Sequence, residues 1–207
     1  SGGTNASEGG SQVTAGGPVT LWFGGAAGNA EKVASVGGLT LGAGSFSNDN
    51  GAVLASTQGT LALALSGSAG LANAGTIETL EPGQSLSVTA ATVSNQAGGS
   101  ILSYGLQSLI IAGALTNEGK ITAYGSPLTV QAAGVSNANL LVAGGGLSLG
   151  VSGDLTNSGL IYGLTGATGS AAPPNNQGGQ AGGGGGTGEV GGGVGENRHT
   201  GRGVKGH

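Results

Sequence analysis

Apolar residues fall along this chain in short alternating bursts, never in long runs. LTL (39–41), LALAL (61–65), LSV (86–88), LII (109–111), LTV (128–130) and LSL (147–149) start at intervals of 22, 25, 23, 19 and 19 residues. Alternation with a period of two over so few residues predicts short β-strands. A second motif keeps phase with the first. LTNEGKI (115–121) and LTNSGLI (155–161) are its clearest copies, and LANAGTI (71–77), VSNQAGGSI (93–101), VSNANLL (135–141) and FSNDNGAV (46–53) are looser ones. Its asparagines are Asn48, Asn73, Asn95, Asn117, Asn137 and Asn157, spaced 25, 22, 22, 20 and 20 residues apart, with Asn29 a weaker copy 19 residues upstream.

A unit of this size carries two or three very short strands and cannot bury its own apolar side. Stacking the units solves that, because each strand then pairs with its copy about 4.8 Å along an axis and like residues form interior columns. The pattern therefore predicts an all-β chain: a parallel β-helix of six to seven coils of 19–25 residues, with the right-handed form the expected hand. The repeated Asn is placed at a corner, where stacking aligns its copies into a hydrogen-bonding ladder. Drift in the period assigns insertions to turns, with Gly and Asn supplying left-handed conformations there. The expected division is a weakly ordered segment at 1–18, the repeat domain at 19–167 and a disordered Gly-rich tail at 168–207. VTLWF (19–23) is expected to open the stack, with Val19, Leu21 and Phe23 inward and Trp22 outward.

Composition narrows the function. Of 207 residues 50 are Gly, only 7% are charged and 3% aromatic, and there is no Cys or Met. An ordinary domain has about 25% charge and about 7% Gly. Disulfides, thiolate metal sites and thiol nucleophiles are excluded together. A net charge of −4 offers no basic footprint for nucleic acid. No apolar run reaches the length of a transmembrane helix. A start at Ser1 without a signal pattern fits a piece of a longer chain.

Little chemistry is left to place. Asp49 and Asp154 are the only aspartates, and they fall about five coils apart, roughly 24 Å. Glu78 and Glu81 are neighbours assigned to a turn before LSV, and Glu118 and Lys120 suit a weak surface ion pair. Both histidines, His199 and His207, lie in the tail. No catalytic residue, metal site or cofactor is assigned, and the chain is read as a non-enzyme. Two alternatives stay open. A polysaccharide-active β-helical enzyme needs clustered acids and bases in a groove, and a carbohydrate-binding module needs exposed aromatics. Tyr104, Tyr124 and Tyr162 each follow the turn in their repeat and are the candidate ligand-contact row. Ranks of Thr for ice binding are not expected, since Thr40, Thr60, Thr129 and Thr156 do not all fall in one phase.

LTNEGKITA (115–123), LTVQAAGVSN (128–137), LSLGVSGDLTN (147–157) and LTNSGLIYG (155–163) resemble the repeats of filamentous haemagglutinin-like exoproteins over roughly residues 37–165. Passenger segments of autotransporters are similar at this level. The resemblance implies a β-helical shaft on the surface of a Gram-negative bacterium, exported by two-partner secretion through an outer-membrane transporter. It also implies a role in adhesion and virulence, with a receptor or glycan on a host or neighbouring cell as partner. It carries over no catalytic residue.

Overall fold

The computed structural model describes residues 12–170, 175–176 and 180–183. Every regular element among them is a strand, and every pairing is parallel. The strands form a 9-stranded and a 14-stranded sheet that wind as a β-solenoid of about eight coils. Each coil has three strands. In the fifth coil these are Gln107–Ile111, Ala114–Asn117 and Lys120–Ala123, and each pairs with its equivalent one coil before and one coil after. In the second and third coils the first two strands run together as Leu39–Asn48 and Leu61–Asn73.

Register turns the sequence pattern into columns. Leu39, Leu61, Leu86, Gln107, Leu128 and Leu147 stand in one line, and Leu41, Leu63, Val88, Leu109, Val130 and Leu149 in another. Leu54, Ile77, Ile101, Ile121, Leu141 and Ile161 form the column of the third strand. All are buried, giving one continuous core along the axis. Aliphatic side chains of similar volume stack in this way without voids, so large aromatics are not required.

The stack is longer than the sequence pattern suggests at both ends. Val13–Ala15 already pairs with Lys32–Ser35, inside the segment expected to be weakly ordered. Val19–Trp22 does begin the first full coil, with Val19, Leu21 and Phe23 partly buried. Beyond residue 167, Ala167–Ser170, Asn175–Asn176 and Gln180–Gly183 pair with the three strands of the preceding coil. Six or seven coils thus become about eight, because runs rich in Gly and Pro hide the signal of the last one. The remainder of the expected tail lies outside the described residues.

Insertions do fall in turns. Asn48 and Asn95 are each followed by two more residues before the third strand than Asn117 is, and those turns hold Gly51 at φ 81° and Gly98 at φ 88°. One insertion departs from this: between Leu65 and Gly70 the extra residues lie inside the continuous strand Leu61–Asn73, where the register with Ala43 and Ser45 shifts as a bulge. The Gly of the LTN-x-G motif has a different reason. A Cβ on Gly119 would lie 2.1 Å from the Gly99 carbonyl oxygen, and one on Gly159 2.2 Å from that of Asn139. Neither has positive φ, so the corner of the previous coil excludes a side chain there, and left-handed geometry plays no part.

Candidate functional site

The asparagines form an internal ladder. Asn29, Asn48, Asn73, Asn95, Asn117, Asn137 and Asn157 are exposed by 4% or less, each at the end of its second strand and directed inward at the corner. Each Nδ2 donates to the Oδ1 of the Asn one coil on, at 2.7–2.9 Å from Asn29 through Asn137. A second proton goes to a backbone carbonyl of the next coil's third strand, as in Asn117 Nδ2 to Leu140 O at 2.9 Å. Asn157 continues this pattern to Gln180 O at 3.2 Å, and Asn176 follows it in backbone register. An amide has two donor protons and an acceptor oxygen, so every rung is satisfied. Burial closes the ladder to ligands, and its role is to hold the corner and the register.

A second buried polar column was not legible as a motif. Ser35, Ser56, Thr79 and Ser103 end successive third strands, and their hydroxyls donate to the carbonyls of Gly38, Gly59, Gln84 and Gly105 in the turns that follow. The same column continues as Ala123, Ala143 and Gly163, so its hydroxyls stop halfway along the stack. The only signal in the sequence is a small residue two places after the third-strand Ile or Leu. Gln107 breaks the Leu column: it is fully buried, its Nε2 reaches Ile101 O at 3.4 Å, and its Oε1 has no partner.

The tyrosine row does not form as a set of three. Tyr104 and Tyr124 stack with ring centroids 4.9 Å apart and planes inclined by 26°, both half-exposed at the corner after the third strand. Tyr162 lies inside its third strand, in register with Val142 and Thr122, two residues earlier in the repeat. The two stacked rings spend their facing sides on each other, and the third is two coils away. The sequence carries the offset once the third strands are aligned: Tyr104 and Tyr124 stand three residues after Ile101 and Ile121, and Tyr162 one residue after Ile161.

Among the described residues the acids are scattered over the outer walls. Glu78 belongs to the strand Thr76–Thr79 and not to a turn, outward between Ala55 and Leu102 in register. Burial pushes its carboxyl above the usual carboxylate range, and Lys32 opposes that in part. Among the described residues no three His, Cys, Asp or Glu side chains gather to hold a metal ion, and no helix is long and apolar enough to cross a membrane.

Among the described residues, two clefts open along the corner between the first and second strands, apart from one of about 310 Å³ beside Pro127, Ser148 and Thr165. One cleft of about 340 Å³ lies against Trp22, Phe23, Ala64, Ser66 and Thr89. Another, of about 510 Å³, runs from Thr89 past Ile110 and Gln131 to Ser152. Both draw on the same neighbouring columns and meet at Thr89, so the two clefts lie end to end as a shallow groove from the first coil to the seventh. Six coil steps make it about 29 Å long. Trp22, 71% exposed, stands at its head with Cε3 and Cζ3 of the indole over Gly42, where a Cβ would come within 2.1 Å of both. The outward placement of Trp22 in VTLWF agrees with the sequence pattern, as does the exposure of Tyr104 and Tyr124, and only register shows that Trp22 heads a cleft. No family model, curated protein or solved structure matches this chain.

Proposed function

We propose that this chain is a rigid shaft of a bacterial surface exoprotein, exported across the outer membrane and holding binding surface away from the cell for adhesion. The observation that carries the reading is the Asn ladder. It ties every coil to the next through two buried side-chain bonds, so the solenoid resists bending and slippage over its length. Outward positions of the first strands, Thr40, Ala62, Ser87, Ser108, Thr129 and Ser148, support it, because small neutral side chains suit a wall that bears load. The similarity of LTNEGKI and LTNSGLI to filamentous haemagglutinin-like repeats supports the same reading. Parallel coils that contact only their neighbours also suit folding outside the cell by sequential stacking.

Immunogold labelling of intact producing cells tests it, with antibody raised against the purified chain. Label at the outer surface, and weaker attachment of cells lacking the chain, are the expected results. Label confined to the cytoplasm refutes the proposal.

A further inference from the structure

We infer that the groove headed by Trp22 binds a neutral, linear glycan laid along the solenoid axis. The inference deepens the adhesive reading by naming the ligand class, and it rests on that reading only for where the ligand is met.

Four observations point there. First, no ionisable side chain lines either part of the groove, so an anionic polymer finds no counter-charge and a cationic one no acid. Second, the rim supplies exposed hydroxyls and an amide, from Ser66, Thr89, Gln131 and Ser152, which match the donors and acceptors of sugar hydroxyls. Third, the only Trp of the chain is held outward in a fixed place. An indole covers apolar area while its N–H stays available to a polar partner, and the apolar face of a pyranose ring is such a surface. Gly42 makes room for it, since any larger residue there would displace the ring. Exposed Ile110 supplies a second apolar contact four coils further along the same register column. Fourth, the groove repeats one coil spacing over about 29 Å, which suits an extended polymer better than a compact small molecule.

An extended peptide fits less well. Peptides add to sheets through free backbone edges, and here the first strands already exchange their backbone bonds with the coils on either side. Nucleic acid would want cations along the path, and none lines it.

The full 207-residue chain is run in native gels containing hydroxyethyl cellulose, galactomannan or polygalacturonate, with Trp22 emission followed in solution against the same three polymers. Retardation by at least one neutral polymer with a blue shift of Trp22, and none by polygalacturonate, is expected. Trp22→Ala and Ile110→Asp, both at exposed positions, should each weaken retardation about tenfold or more, while Tyr162→Ala on the third-strand wall leaves it unchanged. No retardation by either neutral polymer overturns the inference. So does retardation by polygalacturonate alone, or retardation that survives both Trp22→Ala and Ile110→Asp. Outer-surface label with no glycan binding leaves the shaft standing and removes the ligand. Cytoplasmic label with glycan binding does the reverse.

Discussion

Replacing Asn117 with Ala removes one rung from the middle of the ladder. Three hydrogen bonds go with it: Asn95 Nδ2 to Asn117 Oδ1 at 2.8 Å, Asn117 Nδ2 to Asn137 Oδ1 at 2.7 Å, and Asn117 Nδ2 to Leu140 O at 2.9 Å. Each contributes about 1 kcal/mol net, and a buried partner left unpaired costs about 1–3 kcal/mol. Asn95 keeps its bonds to Lys120 O and, longer at 3.4 Å, to Gly99 O, so the uncompensated groups are the Oδ1 of Asn137 and the Leu140 carbonyl. Water cannot reach them easily, because Asn95, Asn117 and Asn137 are all almost completely buried. The expected loss is about 3–5 kcal/mol, in the range diagnostic of a broken buried network. Thr116→Ala is the control, one residue away but outward, and should stay within about 0.5 kcal/mol. Urea unfolding followed by far-ultraviolet circular dichroism reads all coils, and Trp22 fluorescence reads the first. A solenoid with a weakened middle rung should show these two transitions separating, since coupling between repeats is nearest-neighbour. A loss under about 1 kcal/mol, or one equal to that of Thr116→Ala, would refute the claim that the ladder holds the stack.

Gln107→Leu should raise stability by about 1–2 kcal/mol in the same urea assay, because it removes an unpartnered buried oxygen from a column whose neighbours, Leu86 and Leu128, are Leu; unchanged or lower stability counts against it. Gly119→Ala should cost several kcal/mol, since its Cβ would meet Gly99 O at 2.1 Å, whereas Gly134→Ala meets only Asp154 O at 3.6 Å and should be neutral or slightly stabilising through the unfolded chain; equal effects in thermal melts would overturn the steric argument. Glu78 has its folded pKa raised above 4.5 by burial, so the native state binds its proton more tightly than the unfolded one, and its carboxyl weakens the fold as pH rises through that window. Glu78→Gln should therefore raise the melting temperature at pH 7 and lose its advantage below pH 4, and an advantage that grows on acidification would reverse the sign.

What the sequence determined by itself is the period and what the period requires. LxL bursts in phase with LTN-x-G-x-I leave parallel stacking as the arrangement that buries Leu, Ile and Val, and a residue repeated in every coil must form a ladder. Asn48 through Asn157 were readable for that reason. Tertiary structure decided what depends on turn length and on register between coils. It brought Tyr124 onto Tyr104, each three residues past its third-strand Ile, and left Tyr162, one residue past Ile161, inside its strand two coils away. It moved Glu78 from a turn to a strand, and it showed that Gly119 answers to the carbonyl of Gly99 one coil away. It also joined Trp22 to Ile110 and Ser152, residues up to 130 positions apart. A groove is a property of neighbouring coils, and neighbours across coils are set by stacking, which no local pattern records.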